Sequence, residues 1–125
     1  MKTLIAGSPR AAGALAERLA DEGIDARTAI PDTAGEAIPA LASSLVELER
    51  RIRDDRPEMV LLADRGDHAL AAALVATKLL VPVAAVAGAG DPGGGGPSQA
   101  GENSRLLTLL ADEVEIVALP KLLRP

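Results

Sequence analysis

Residues 56–90, RPEMVLLADRGDHALAAALVATKLLVPVAAVAGAG, decide the fold of this chain. Residues 58–63 are a short apolar run behind Arg56-Pro57, and proline is tolerated at the entry to a strand. The run does not alternate with polar residues, so both its faces are expected to be covered, as in a parallel sheet. It breaks at Asp64-Arg65-Gly66-Asp67-His68, four polar residues around one glycine. A helix is predicted next, with Leu70, Leu74 and many alanines that let it lie close to a sheet. Lys78 suits its last turn, where a positive charge meets the negative end of the helix dipole. Residues 81–87 read as a second buried strand. Strand, helix and strand in this order form the unit of a parallel α/β sheet, with a right-handed crossover expected. The competing reading of residues 69–90 is a membrane-spanning helix, which needs a run of about 20 apolar residues. Lys78 in its middle, at about 2.5–3.5 kcal/mol for a charge at mid-bilayer, and Pro82 just after it argue against a membrane partner.

The chain has 125 residues, enough for one domain around a single core. Hydrophobic residues make up 48% of it and aromatic ones 0%, so the core must be built from Leu, Val, Ile and Ala. With no ring to stack on a base, nucleic-acid modules that rely on stacking are disfavoured. A net charge of −5 also has the wrong sign for neutralising phosphate backbones, so no nucleic-acid partner is expected. The absence of Cys excludes disulfides, thiol catalysis and Cys-ligated metals, and the single histidine leaves no room for a multi-histidine site. No metal or cofactor is expected. The first apolar run is too short for a signal peptide, and the cytoplasm is the expected compartment.

Outward from the central unit, residues 2–6 read as a first strand ending at Gly7-Ser8-Pro9-Arg10. A helix with Leu15 and Leu19 follows, stopped by Gly23. Residues 24–30 alternate with period two, the mark of an edge strand, and 31–35 are a loop. A further helix starts near Pro39, with Ile38, Leu41, Leu45, Leu48 and Ile52 on one apolar stripe. Its outer face, with Glu47–Arg51 and Glu49–Arg53 at helix-supporting spacing, reads as solvated. Residues 88–97 are a glycine-rich loop without a phosphate-binding or dinucleotide signature. Residues 98–110 read as a helix with Leu106, Leu107 and Leu110 inward. Residues 114–119 are a last, edge strand, and 120–125 a tail that docks or dangles. Five strands alternating with four helices predict a single three-layer α/β/α Rossmann-like domain over residues 1–125. Its five-stranded parallel sheet is expected in the order 2-1-3-4-5.

Ligands in such sheets sit beyond the carboxyl ends of the strands, at the switch point between strands 1 and 3. The loops there are 7–10 and 64–68, with 88–96 alongside. Arg10, at a helix N-terminus, can meet an anion or remain a solvated arginine. Asp64, Asp67 and His68 can hold a divalent cation or a sugar hydroxyl. Equally, Asp67 can cap a helix that begins at His68.

Several segments together resemble the non-hydrolysing UDP-N-acetylglucosamine 2-epimerases. Arg56-Pro57-Glu58-Met59-Val60-Leu61-Leu62, residues 69–74 and Val81-Pro82-Val83-Ala84 are similar to that family's R-P-D-x-V-L-V, A-x-A-A-x-L and I-P-V-A-H segments. Glu102-Asn103-Ser104-Arg105-Leu106-Leu107-Thr108 resembles its E-x-N-R-x-L-T segment, and Gly7 to Arg10 loosely echo its first glycine loop. The resemblance implies the N-terminal, Rossmann-like half of a two-domain GT-B-type isomerase. It also implies ligand-binding roles for Gly7, Ser8, Arg10, Glu102 and Arg105. The family's G-T-R-P-E acid is missing after Arg10, and the acid of its G-D-T loop falls at Arg65, or at Asp64 with one inserted residue. The acid of its H-V-E-A-G motif falls at Ala87, and one of its P-E-E acids at Gly101. Within these 125 residues no counterpart of the family's second domain is expected. Epimerisation needs an acid and a base on both sides of a clamped sugar. The expected function is therefore a truncated, degenerate epimerase-like domain, non-catalytic alone and at most a weak binder of a UDP-sugar. The alternatives are a homodimeric interaction module without ligand, and one half of a split epimerase completed by a partner chain.

Overall fold

The computed structural model describes residues 1–31, 37–87, 99–115 and 118–123. Its elements run β1 (Thr3–Ala6), α1 (Pro9–Asp21), β2 (Arg27–Ala29), α2 (Ala37–Asp55), β3 (Met59–Leu62), α3 (Asp67–Lys78), β4 (Val83–Val86), α4 (Gln99–Leu110), β5 (Asp112–Val114) and α5 (Leu119–Leu123). The strands form one sheet in the order β2-β1-β3-β4-β5, every pair parallel. This is the Rossmann-like order that the alternation of apolar runs and helices predicts. β1 and β4 are buried at every residue, whereas β2 and β5, at the two edges, carry exposed ones.

Successive side chains of a strand point to opposite faces, and here that alternation divides the core in two. Leu4, Ala6, Val60, Leu62, Val83 and Ala85 face a layer of α2, α3 and α4. Ile5, Leu61, Ala63, Ala84 and Val86 face α1 and α5. α3 is the most enclosed helix: His68 to Ala73, Val75 and Ala76 are all buried. Its alanines let it sit between α2 and α4 directly on the sheet. Without an aromatic residue, the interior is filled by many small interdigitating side chains.

Two helices end in the same way. At the end of α1, Gly23 has φ of 78°, its N–H reaches the Ala20 carbonyl at 2.9 Å, and the Ile24 N–H reaches Leu19 at 2.8 Å. At the end of α3, Leu80 has φ of 61°, with Leu80 N–H to Thr77 at 3.3 Å and Val81 N–H to Ala76 at 2.8 Å. Both are Schellman caps, in which the left-handed position usually holds glycine. At α3 it holds a leucine whose side chain is 90% exposed.

The structure departs from the sequence expectations at several ends. β2 is confined to Arg27–Ala29, because Ile24 is buried against Leu19 in the cap of α1. β5 is Asp112–Val114, in register with Ala84–Val86 of β4, and not residues 114–119. Within that expected strand, 116–117 lie outside the described residues. Leu119 instead opens a fifth helix, where Leu119 and Leu123, four apart, share the face buried beside α1. The described part of the tail, up to Leu123, therefore docks. Ile38 is 74% exposed: the buried stripe of α2 is rotated toward Ser44, which faces α3. Leu106 is half exposed for a similar reason, since Asn103 and Leu107 define the inner face of α4. On the outer face of α2, Arg53 pairs with Glu49 at 3.5 Å, while the mostly buried Asp55 pairs with Arg51 at 2.7 Å and with Arg27 of β2 at 3.6 Å. The predicted loops over 32–36 and 88–97 lie outside the described residues.

Candidate functional site

The order of the sheet reverses between β1 and β3, and the turns that leave these two strands meet there. Ala63 N–H continues the ladder to the Ala6 carbonyl at 2.9 Å, bringing Gly7 and Asp64 side by side. A β-carbon on Gly7 would lie 3.1 Å from Ala63 Cβ and 3.2 Å from Asp64 Oδ2, so the turns approach this closely only because residue 7 has no side chain. Asp64 Oδ2 accepts the Ser8 backbone N–H at 2.8 Å, and its Oδ1 accepts the Gly66 N–H at 3.0 Å. Ser8 caps α1, its Oγ accepting the Ala11 N–H at 3.2 Å. A carboxylate of the chain itself thus occupies a backbone donor at the start of α1, where a bound anion would otherwise be favoured.

Asp67 is not the cap of α3. That position is Gly66, without a side-chain bond, and Asp67 is the first helical residue. Its Oδ1 accepts from Asn103 Nδ2 at 2.9 Å, while the same nitrogen donates to the Arg65 carbonyl at 3.1 Å. Asn103 is only 5% exposed and so ties α4 to the turn before α3. His68 is also buried, and its ring points to α2 and β2 and not to Asp64. Its Nε2 lies 3.2 Å from the Ala29 carbonyl oxygen, which can only accept, so Nε2 carries the hydrogen. In the neutral ring Nδ1, 2.8 Å from Ser44 Oγ, then accepts the hydroxyl proton of that serine.

Asp64, Asp67 and His68 are thus neighbours in sequence whose polar atoms diverge to different partners. They do not form the cation site that their spacing allowed. Among the described residues, no group of three or more His, Cys, Asp or Glu side chains is placed to hold a metal ion. Arg10 lies exposed on the first turn of α1. Glu102 and Arg105 pair with each other at 3.6 Å on the exposed face of α4, away from the buried Asn103 side. The structure therefore gathers Gly7, Ser8 and Asp64 at one point and distributes the other candidates around it.

Three side chains important to this region were not among the sequence candidates: Ser44, Asn103 and Arg65. The first two have a legible signal. Ser44 lies three residues after Leu41 and four before Leu48, and Asn103 four before Leu107, so each is a polar residue at an apolar-stripe position. Arg65 spans from the turn after β3 to Glu113 of β5 at 3.2 Å, a pairing over 48 residues that no local spacing announces.

The five-stranded parallel sheet in this order defines the chain as an α/β Rossmann-like domain. Comparison with solved structures narrows the fold. UDP-GlcNAc 2-epimerase from Methanocaldococcus jannaschii is similar, with 19% identity, a TM-score of 0.67 and coverage of 89% of this chain and 38% of that one. The Neisseria meningitidis enzyme bound to UDP-GlcNAc gives 19%, 0.67, 89% and 38%. S. aureus MnaA in its UDP co-structure gives 19%, 0.68, 92% and 37%. The chain spans well under half the length of these neighbours, and over that span it has the fold of UDP-GlcNAc 2-epimerases. No protein-family model matches it, and no curated protein does. Among the described residues, no helix is long and apolar enough to cross a membrane.

Proposed function

We propose that this chain is a degenerate UDP-GlcNAc 2-epimerase-like domain that binds a nucleotide sugar weakly at the β1–β3 switch point and does not turn it over. The observation that carries the reading is the use of Asp64. Both its oxygens accept backbone N–H groups, from Ser8 and Gly66, so the acid nearest the glycine turn acts as a structural tie. Asp67 and His68 are likewise bonded within the fold. General acid–base catalysis needs side chains aimed at the substrate within hydrogen-bond reach, and these are aimed at their own chain. Binding is supported by the close glycine turn, the exposed Arg10 beside it, and the fold shared with a neighbour bound to UDP-GlcNAc.

Isotope-labelled protein titrated with UDP-GlcNAc should show saturable amide shifts at Gly7, Ser8, Arg10 and Asp64, and incubation should yield no C2 epimer. Absence of shifts at millimolar ligand would remove the binding half of the proposal, and epimer formation the non-catalytic half. A second reading, self-association as an interaction module, is favoured by an apolar groove of about 570 Å³ at the amino ends of β4 and β5. Leu80, Leu109 and Leu122 line it, and the first two are more than four-fifths exposed. Sedimentation equilibrium decides it: a concentration-independent monomer mass excludes that reading.

A further inference from the structure

We propose that Arg65 and Ser104 frame a pocket for a small oxyanion, and that Glu113 is the built-in carboxylate this ligand displaces. The pocket, about 250 Å³, is distinct from the glycine turn and lies toward β5. Ala85, Leu107 and Ala111 are its apolar lining, and Arg65, Ser104, Thr108 and Glu113 supply polar groups. Pockets for drug-sized ligands usually measure roughly 300–1,000 Å³. This one suits a phosphate or carboxylate bearing few further atoms, and is too small for a whole nucleotide sugar.

Among the described residues, the Arg65 charge is poorly compensated. Its side chain is 11% exposed, and its ion-pair partner among the described residues, Glu113, is 65% exposed on an edge strand. Burying a guanidinium is costly unless it is paired and hydrogen-bonded. A solvent-exposed partner restores little of that cost. The contact is also a single one, Nη2 to Oε1 at 3.2 Å. Charge-assisted bonds are commonly about 2.7–2.9 Å, and the guanidinium fork takes carboxylates and phosphates through two parallel bonds. Glu113 therefore holds Arg65 loosely and from the solvent side. The backbone beneath it is firm, since Asn103 Nδ2 donates to the Arg65 carbonyl at 3.1 Å. Such preorganisation lowers the ordering cost of binding. The net charge of −5 opposes the approach of an anion, which points to millimolar affinity.

Titration of isotope-labelled protein with inorganic phosphate tests this, following the Arg65 Nε–Hε signal and the amides of Ser104 and Glu113. Saturable shifts at these three positions are expected, with affinity several-fold tighter in Glu113→Gln and lost in Arg65→Met. A hexose 1-phosphate distinguishes the source of the oxyanion: tighter binding than phosphate identifies a phosphorylated sugar, and equal binding a free oxyanion. No shifts in either the wild type or Glu113→Gln would overturn the proposal, as would unchanged affinity in a folded Arg65→Met. If Arg65→Met does not fold, Glu113→Gln decides alone, and an affinity equal to wild type overturns the displacement. These signals are separate from those of Gly7, Ser8 and Arg10, so the nucleotide-sugar site can fail while this pocket stands, and the reverse.

Discussion

The Asp64 carboxylate and the Ser8 backbone N–H meet at 2.8 Å across 56 residues of sequence, joining the end of β3 to the start of α1. This bond crosses the point where the strand order reverses, which is where open α/β sheets receive ligands. With the second bond to Gly66, it converts a potential ligand-facing acid into a clasp between two turns.

Removing the clasp should cost stability. Hydrogen bonds to charged groups contribute about 1.5–3 kcal/mol each when buried, and partial exposure of Asp64 lowers that. Asp64→Ala is expected to lose about 2 kcal/mol in urea unfolding, and Asp64→Asn, which keeps one acceptor oxygen, about 1 kcal/mol. An unchanged midpoint in Asp64→Ala would contradict the structural role.

Gly7→Ala probes the same approach from the other side. Its new methyl would lie 3.1 Å from Ala63 Cβ and 3.2 Å from Asp64 Oδ2, closer than ordinary contact. Ala63 is held by the sheet ladder and cannot rotate away, so a loss of about 1–2 kcal/mol is expected, as for overpacking generally. Amide shifts should spread over both turns. Shifts confined to Gly7 and Ser8 would mean that the turns are less tightly apposed.

His68 and Ser44 should behave as a pair. His68→Leu leaves the Ser44 hydroxyl and the Ala29 carbonyl without their ring partner in a buried position, with an expected loss of about 2–3 kcal/mol. Ser44→Ala alone should cost about 1 kcal/mol, and the double variant less than the sum of the singles. Chemical denaturation of the four proteins measures the coupling. Additive losses would place the two residues in independent roles. In the wild type, nitrogen shifts of the single histidine should report hydrogen on Nε2.

Leu80→Gly is expected to stabilise the protein. Leu80 holds a left-handed backbone at φ of 61° with its side chain 90% exposed, so removal of that side chain forfeits little packing. Left-handed backbone costs an L-residue roughly 1–2 kcal/mol, partly offset by the greater freedom of glycine in the unfolded chain. A gain of about 0.5–1 kcal/mol is expected, a rise of a few degrees in Tm by calorimetry. A lower Tm would show that Leu80 contributes packing in the groove it lines.

The layers and the strand order were legible because the evidence for them is local and periodic. Residues 59–63 and 81–87 are apolar without alternation, and the intervening alanines suit a helix flattened on a sheet. Residues 24–30 alternate, and their strand lies at an edge. The ends were less legible, because caps and docking decide them. Ile24 completes the cap of α1, and Leu119 forms a helix because its partner four residues on, Leu123, reaches the core beside α1. The likeness to UDP-GlcNAc 2-epimerases was carried by short segments around these same strands, and the shared fold agrees with it.

The sequence by itself determined the class of the domain, the order of its sheet, and the loops in which polar residues collect. Those follow from hydrophobic period and connection rules, which neighbouring residues express directly. Only the tertiary structure decided what the polar residues do. Asp64, Asp67 and His68 are close in sequence, yet a turn and the first residues of a helix aim them in different directions. Their partners, Ser8, Asn103 and Ser44, come from the cap of α1, from α4 and from α2, and are brought within reach by the packing of the helices on the sheet. The same is true of Arg65, whose burial and loose hold on Glu113 exist only once β5 has paired with β4.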